Sequence, residues 1–428
     1  MKTFLASAAL SLAAFAIPFS TPRPAAAQDQ GLKQGDYVAI VGDSITEQKL
    51  YSVFMEDYLL MCKPQVNLKA TQFGWGGETS WGFGARMYND MIPFGANVAT
   101  TCFGMNDGGY SPQSPQKAQR YYEAQTSVVE QMKKAGVRFI VVGSPGCVDS
   151  DTFGHNPAKG EMYNATLASE RDIAKKVAQE QGVTFADVFT PMYDAMAKAK
   201  AKYGHEYDVC GHNDGIHPGP NGHLIMAYAF LKALGCDGNI GTFTVNLGDN
   251  KAELSPGHEL IWFGNGRLSI ESSKYPFCFY GDPKSSSSTS GITEFFPFNQ
   301  DLNRLMLIVS DAKADQNYKI TWGEESKTFK GEQLSKGINL AAEFINNPFS
   351  EPFKKVEEQI RHQQNFETPL VKQSIHGLID CQRAAGEERN LLEGVRSILI
   401  ASDLPLRVQS ELSVKPVRHT ITIEEAGQ

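Results

Sequence analysis

Five short strand-like runs alternate with helix-like segments between residues 37 and 234, and this alternation constrains the fold more than any other feature. The runs, rich in β-branched and aromatic residues, cover residues 37–41, 66–73, 98–103, 137–142 and 183–186. Parallel strands need a crossover, usually a helix, to reach one another. The pattern therefore predicts an α/β domain with a parallel sheet and helices on both faces, spanning residues 28–236.

The first run leads into Gly42-Asp43-Ser44, which places a serine where the next helix begins. In open α/β sheets, ligands bind beyond the carboxyl ends of the strands. Ser44 is therefore expected at the edge where a ligand would lie, and one interpretation makes it a nucleophile. The other makes it the cap of the helix that begins near Thr46, a common position for serine.

Two further strands are expected to end at the same edge in unusual loops. The second run is followed by the pair Gly76-Gly77, and the third by Asn106. A glycine leaves its backbone N–H open to an approaching ligand, and an asparagine amide is a hydrogen-bond donor. Each also has a purely structural interpretation, a tight turn for the glycines and a helix cap for Asn106.

Asp214 and His217 lie three residues apart in a loop punctuated by glycine and proline. With Ser44 they supply the parts of serine-based acyl transfer, His217 as the base and Asp214 as the group that orients the imidazole. The expected oxyanion donors are the backbone N–H groups of Ser44 and Gly77 and the side-chain amide of Asn106. The structural alternative is an aspartate turn beside a partly buried histidine.

Taken in order, these motifs resemble the four blocks of the SGNH, or GDSL-type, hydrolase family. Gly42-Asp43-Ser44-Ile45 matches the block that carries the nucleophile, Gly77 the second-block glycine, Gly104-Met105-Asn106-Asp107 the third block and Asp214-Gly215-Ile216-His217 the last. The resemblance covers the first half of the chain, to Gly235. It implies a flavodoxin-like three-layer α/β/α domain, no cofactor, and action on esters such as acetylated carbohydrates, lipids or thioesters. In the family the last block often closes the protein, whereas this chain continues to residue 428.

Residues 1–27 have the pattern of a cleavable signal peptide. Lys2 supplies the positive start, residues 4–19 are mostly apolar, and Ala25-Ala26-Ala27 fits a cleavage site. A membrane anchor is the alternative, but the apolar run is short and is interrupted by Pro18. The sequence therefore predicts a secreted or periplasmic protein, and no later segment is long and apolar enough for stable membrane insertion.

Beyond residue 236 the pattern changes to short strand-like runs separated by turn residues. This predicts a small antiparallel β-rich module over residues 237–345, followed by a helical C-terminal segment over residues 346–428. The motifs of the first half say nothing about the role of either part.

Charge and cysteine content exclude several classes of function. Lys and Arg number 40 against 48 Asp and Glu, a net charge of −8 that offers no basic surface for nucleic acid. None of the seven cysteines shows Cys-x-x-Cys spacing, so no zinc site is indicated. Cys147 and Cys210 both lie in loops expected at the same edge of the sheet, and a disulfide between them is a hypothesis for an exported protein.

The signal-peptide pattern and the motifs thus predict an exported serine esterase, and the resemblance to the family implies hydrolysis of a small acyl ester, acetyl above all, on a carbohydrate. Trp75, Trp81 and Tyr110 lie near the proposed edge, where they would either stack on sugar rings or pack as core or lid. A lipase, lysophospholipase or thioesterase is the alternative within enzymes. A carbohydrate-binding protein without catalysis is the alternative outside them, and the oligomeric state stays open.

Overall fold

The computed structural model describes residues 31–211, 214–385 and 389–426. The predicted signal peptide, residues 1–27, lies outside the described residues. Over the described ranges the chain forms a parallel sheet and two further sheets, with helices packed around them. No helix in these ranges combines the length and the apolar content needed to cross a bilayer.

The parallel sheet has the strand order β2-β1-β3-β4-β5. Its strands are β1 (Tyr37–Gly42), β2 (Lys69–Gln72), β3 (Val98–Cys102), β4 (Phe139–Gly143) and β5 (Thr184–Ala186). Every neighbouring pair is parallel. This flavodoxin-like order confirms the predicted fold class, and its switch point between β1 and β3 is where ligands of such sheets bind.

Helices connect these strands and cover both faces of the sheet. They are α1 (Ser44–Glu47), α2 (Tyr51–Asp57), α3 (Ser80–Asp90), α4 (Pro115–Lys134), α5 (Pro157–Glu180), α6 (Phe189–Tyr203) and α7 (Pro220–Ala233). Local capping explains where two of them begin. The hydroxyl of Thr79 accepts from the N–H of Gly82 at the start of α3, and that of Ser114 accepts from Lys117 at the start of α4.

Residues 239–343 contribute most strands of the other two sheets. Their elements are β6 (Asn239–Asn246), β7 (Lys251–Leu254), β8 (His258–Gly264), β9 (Arg267–Ser272), α8 (Phe298–Leu302), β10 (Arg304–Val309), β11 (Asn317–Trp322), β12 (Glu325–Lys330), α9 (Gly331–Lys336), β13 (Ile338–Asn339) and α10 (Leu340–Glu343). The sheet β12-β11-β14-β9-β8 is antiparallel throughout, as predicted. The sheet β13-β10-β6-β7 is mixed, because β6 and β10 run parallel.

The C-terminal part is mainly helical but ends in a strand. Its elements are α11 (Ser350–Pro369), a π-helical turn (Leu370–Ile375), α12 (Leu378–Ala385), α13 (Arg389–Ala401), α14 (Leu404–Ser413) and β14 (Val417–Glu425). The prediction of a helical segment missed β14, which lies between β9 and β11 in the antiparallel sheet. Its side chains alternate between buried and less buried positions, a period of two typical of a strand.

Helix α11 packs against α2 and the edge strand β2. The side chain of Gln364 contacts both Ser52 and Glu56 of α2 at 2.6 and 2.7 Å, and Glu367 accepts from the backbone N–H of Gln72 at 3.0 Å. Every residue of α2 is buried, since the helix also packs against α7. The sequence predicts an amphipathic helix over residues 50–61, whereas the structure ends α2 at Asp57 and continues as a π-helical turn, Tyr58–Cys62.

Candidate active site

Ser44 is the first residue of α1 and directly follows the end of β1. The helix is capped by Asp43, not by Ser44, since Oδ1 of Asp43 accepts from the N–H of Ile45 at 3.0 Å. Only glycine fits at position 42, because a Cβ there would lie 2.0 Å from Oγ1 of Thr46. The hydroxyl of Ser44 is therefore free of a capping role and stands at the carboxyl edge of the sheet.

Ser44, His217 and Asp214 form a continuous hydrogen-bonded relay. Oγ of Ser44 lies 2.8 Å from Nε2 of His217, although the two residues are 173 positions apart. Nδ1 of the same imidazole lies 2.6 Å from Oδ2 of Asp214. The His217 and Asp214 side chains are 35% and 44% exposed, so the relay is open to solvent and to a substrate.

Asp214 determines which nitrogen of the His217 imidazole carries the hydrogen. A carboxylate can only accept, so Nδ1 of His217 carries the hydrogen and Nε2 is left as the acceptor for the Ser44 hydroxyl. The other carboxylate oxygen of Asp214 accepts from the backbone N–H groups of Ile216 and His217 at 2.8 and 3.0 Å. The imidazole is thus held in the tautomer that can take a proton from Ser44.

Asp214 stays ionised over a wide pH range. Partial burial alone would raise its pKa, but hydrogen bonds from the backbone and imidazole of His217 and from the N–H of Ile216 lower the pKa below its usual value. The carboxylate is therefore available to stabilise an imidazolium when one forms.

The loop that carries Asp214 and His217 is anchored to the loop after β4. The N–H of Gly215 donates to the carbonyl of Gly211 at 2.8 Å, and the N–H of Asp149 donates to the carbonyl of Gly215 at 2.9 Å. Residues 212–213 lie outside the described part of the chain. Sγ of Cys147 lies 3.3 Å from Sγ of Cys210 at the base of these loops, and both side chains are buried.

Asn106 is held against the loop that follows β2. Its Nδ2 donates to the carbonyl of Glu78 at 3.0 Å, and its Oδ1 accepts from the hydroxyl of Tyr110 at 2.8 Å. An asparagine amide has two N–H donors, so one donor still remains for a substrate. The structural interpretation of Asn106 as a helix cap is wrong, because Ser114 caps the following helix.

Asp107, the next residue, joins the same two loops. Its carboxylate accepts from both the N–H and the hydroxyl of Ser80, the latter at 2.6 Å, and from the N–H of Gly104 at 3.1 Å. Hydrogen bonds therefore join the loops after β2 and β3 into one unit.

Gly77 lies in a turn of this unit and faces open space. The N–H of Glu78 donates to the carbonyl of Trp75 at 3.1 Å, which closes a turn with Gly77 at its third position. Its φ of +72° is the value that a type II turn requires there and that favours glycine. A Cβ built at Gly77 meets nothing within 4 Å, so its backbone is accessible to a ligand.

Two buried carboxyl groups near this edge of the sheet have raised pKa values. Burial raises the pKa of Asp43 to about 7, and the negative charge of Asp107 adds to the rise, although the N–H of Ile45 opposes it. Burial likewise raises the pKa of Glu170, on α5, to about 9, again with a contribution from Asp107. These acids keep the site less negative at neutral pH than its sequence indicates.

The three aromatic residues near the site have different surroundings. Trp81 is 62% exposed beside Ser80, and Tyr110 is 36% exposed. Trp75 packs against the ring of His376, from the C-terminal segment, with 4.8 Å between the ring centroids. The sequence left open whether they face a ligand or pack in the core; Trp81 and Tyr110 are exposed, whereas Trp75 is packed.

The sequence places Tyr110 near this edge, but it does not predict the hydrogen bonds that three residues make there. Tyr110 bonds Asn106, Glu47 bonds the N–H of Gly76, and Lys372 bonds Glu47. Glu47 could have been found, because it lies three residues after Ser44 and so on nearly the same side of α1. Lys372 has no such signal, since it lies far along the chain in the C-terminal segment.

The family model that matches this chain is that of the GDSL-like lipase/acylhydrolase family, over residues 40–225. This range includes Ser44, Gly77, Asn106, Asp214 and His217. No protein of curated function matches the chain in sequence.

Two solved structures are among those that are similar to this chain. A gut microbial diltiazem-metabolizing enzyme aligns with a TM-score of 0.71 and 22% identity, over 94% of this chain and 100% of that one. An acetylxylan esterase from Geobacillus stearothermophilus aligns with a TM-score of 0.39 and 20% identity, over 48% of this chain and 97% of that one. The first similarity extends the shared fold well beyond the family domain, into the β-rich and C-terminal parts.

The fold and the family match define a serine ester hydrolase of the SGNH type. Residues 40–225 form a GDSL-like lipase/acylhydrolase domain.

Proposed function

We propose that this protein is an exported esterase that removes a small acyl group, acetyl in the first instance, from a carbohydrate. In this proposal Ser44 is the nucleophile, His217 the general base and Asp214 the residue that orients the imidazole. The observation that carries it is the relay from Ser44 through His217 to Asp214, with both bonds at 2.8 Å or less. Export rests on the signal-peptide pattern of residues 1–27.

The reaction follows from the direction of the relay. Nε2 of His217 takes the hydroxyl proton while Oγ of Ser44 attacks the ester carbonyl, whose oxygen becomes negatively charged. The imidazolium then gives its proton to the departing alcohol, and the acyl group stays on Oγ. Water, activated by the same imidazole, attacks the acyl-enzyme; the carboxylic acid leaves and the proton returns to Ser44.

The negative oxygen of the intermediate needs preorganised donors. The proposed donors are the backbone N–H groups of Ser44 and Gly77 and the second N–H of the Asn106 amide. Removing one such donor typically lowers kcat by about 10²- to 10³-fold. The accessible backbone of Gly77 and the clamped amide of Asn106 support this assignment.

The carbohydrate part of the proposal rests on two exposed aromatic side chains, of which Tyr110 bonds Asn106. Trp81 and Tyr110 offer large, partly apolar faces next to Ser80 and Asn106, and sites for organic ligands are commonly lined by aromatic residues. The acetyl part rests on the resemblance of the four motifs to a family that commonly cleaves acetyl esters. Hydrolysis of lipids or thioesters is the competing outcome in the substrate test.

The test compares the protein without residues 1–27 with its Ser44→Ala variant. We expect hydrolysis of p-nitrophenyl acetate and covalent labelling by a fluorophosphonate, with both lost in Ser44→Ala and kept in Ser335→Ala, which removes an exposed serine hydroxyl. Activity that does not depend on Ser44 would contradict the mechanism. Release of acetate from acetylated oligosaccharides, compared with release of fatty acid from phospholipid and with turnover of diltiazem, then identifies the substrate class.

A further inference from the structure

The C-terminal segment reaches the loop that carries Gly77. Lys372 lies in the π-helical turn after α11, outside the family domain, and its Nζ donates to Oε1 of Glu47 at 2.6 Å. Its ammonium group also lies 4.8 Å from the ring centroid of Trp75. A residue beyond the family domain therefore contacts both the helix of Ser44 and the loop of Gly77.

Glu47 connects this lysine to the turn. Its second carboxylate oxygen, Oε2, accepts from the backbone N–H of Gly76 at 2.5 Å. The Glu47 and Lys372 side chains are only 25% and 26% exposed, which leaves their attraction less screened than that of a surface pair. The carboxylate thus binds the lysine through one oxygen and the turn through the other.

This bond fixes a peptide group adjacent to the proposed oxyanion donor. Gly76 and Gly77 are the central residues of the turn from Trp75 to Glu78. Neither has a side chain that could restrict it, and glycine pairs have wide conformational freedom. An anchor on the N–H of Gly76 therefore limits rotation of the next peptide group, whose N–H belongs to Gly77.

The rest of the turn is held by contacts that do not reach Gly76 or Gly77. The N–H of Trp75 donates to the carbonyl of Gly42 at 3.2 Å, and the guanidinium of Arg86 lies 4.7 Å from the Trp75 ring centroid. His376 packs on the same ring, and Nδ1 of His376 lies 2.9 Å from a carboxylate oxygen of Asp90. These contacts hold Trp75, and the bond from Glu78 to Trp75 closes the turn around the glycines. Among the described residues, it is Glu47 that bonds Gly76 directly.

We propose that Lys372 is a positioning residue for the oxyanion-binding turn. Through Glu47 it holds the Gly76–Gly77 peptide so that the N–H of Gly77 faces the reacting carbonyl oxygen. The inference rests on the proposed function, because it assigns a role in the same reaction. The C-terminal segment is then required for efficient turnover, although it supplies no group that touches the substrate.

The test is steady-state kinetics on p-nitrophenyl acetate with Lys372→Met and Lys372→Arg. Because Lys372→Met misaligns a donor without removing it, we expect kcat to fall about tenfold, less than for loss of a donor, with KM almost unchanged. Lys372→Arg, which keeps a cation able to bind a carboxylate, should restore most of kcat. Lys355→Met, at an exposed position of α11, is the matched control and should behave as wild type.

A double-mutant cycle with Glu47→Gln tests whether the lysine acts through the glutamate. If it does, the double variant loses no more kcat than the more impaired single variant, because both changes break one chain of contacts. The rate of fluorophosphonate labelling should fall in parallel, since the phosphonyl oxygen needs the same donors. Circular dichroism and the Tm of each variant show whether it is folded at the assay temperature.

Three results would overturn the inference. The first is an unchanged kcat in Lys372→Met. The second is a rise in KM alone, which would mean that Lys372 contacts the substrate. The third is a double variant whose loss of kcat equals the sum of the two single losses in free energy. Failure of the proposed function looks different, because the wild-type protein itself would then have no Ser44-dependent activity.

Discussion

The hydroxyl of Tyr110 donates a hydrogen bond to Oδ1 of Asn106 at 2.8 Å. This bond and the one from Nδ2 to the carbonyl of Glu78 fix both ends of the amide, so that it cannot rotate by half a turn and exchange its oxygen for its nitrogen. Tyr110 itself adopts a φ of +54°, an uncommon value for a residue other than glycine. Such backbone strain is often found at functional sites.

Removing that hydroxyl should lower turnover. In Tyr110→Phe the amide of Asn106 keeps its bond to Glu78 but loses the neutral hydrogen bond from the tyrosine. Such a bond contributes about 1 kcal/mol, so we expect kcat to fall roughly fivefold. Tyr193→Phe is the control, because that hydroxyl donates to the surface carboxylate of Glu161, at 3.3 Å. Equal kcat for Tyr110→Phe and wild type would show that Glu78 alone fixes the amide.

Asp214→Asn should nearly abolish activity without unfolding the protein. The asparagine oxygen can still accept from the backbone at Ile216 and His217, but its NH₂ would donate to Nδ1 and leave the hydrogen of the imidazole on Nε2. That tautomer cannot accept a proton from Ser44, and we expect kcat to fall about 10³- to 10⁴-fold. Asp249→Asn, at an exposed position, is the control. Retention of more than a tenth of kcat would argue against the assigned role.

The pH dependence of stability should reveal the buried acid at position 170. Neither carboxylate oxygen of Glu170 has a hydrogen-bond partner among the described residues. Burial first, and then the charge of Asp107, raise its pKa from 4.5 to about 9, although Lys117 opposes the rise. Between these two values the folded protein keeps a proton that the unfolded chain has released, so this group makes the free energy of unfolding decrease as pH rises.

Glu170→Gln removes that decrease because glutamine is neutral at every pH. Relative to wild type, the variant should gain stability between pH 6 and 8.5 by up to about 1.4 kcal/mol per pH unit. Urea unfolding at the two pH values measures the difference. Glu161→Gln, at an exposed position of the same helix, should show no such trend. A constant difference between Glu170→Gln and wild type would mean that Glu170 is already ionised in the folded state.

Cys147 and Cys210 should form a disulfide when the protein matures in an oxidising compartment. Their sulfur atoms are 3.3 Å apart and buried, and the bond would join the loop after β4 to the one that carries Asp214 and His217. Peptide mapping of the oxidised protein without reductant should find the two cysteines cross-linked. Cys381, which is exposed, serves as the internal control for alkylation. Two freely alkylated thiols at 147 and 210 under these conditions would dismiss the bridge.

The α/β part of the fold could be predicted because its signals are local. Each of the five strands appears as a short strand-like run, and the order of strands and helices restricts the connections to very few arrangements. The loops after β1, β2 and β3 were expected at one edge for the same reason, and Asn106 and the turn of Gly77 do lie in loops that contact each other. That these residues act in catalysis stays a prediction.

Two features of the structure differ from what the sequence pattern indicates. Apolar and polar residues alternate over residues 417–425, which is a strand pattern. The prediction of a helical segment over residues 346–428 followed the helical pattern that precedes these residues. The helix predicted over residues 50–61 was expected to have a solvent-facing side, whereas α11 covers that side and the helix ends at Asp57. In the first case the sequence carried the information; in the second the partner lay about 300 residues away.

The sequence by itself determined the alternation of strands and helices in the first half and the order of the four motifs, because strand and helix periodicities and turn residues act over a few positions. Only the tertiary structure decided that Asp43 caps α1, that Tyr110 clamps Asn106, that β14 enters the middle of a sheet, and that Lys372 reaches Glu47 across 325 positions. The physical reason is that such contacts arise from packing and hydrogen bonding between surfaces that meet only once the chain is folded, and no local pattern encodes the partner.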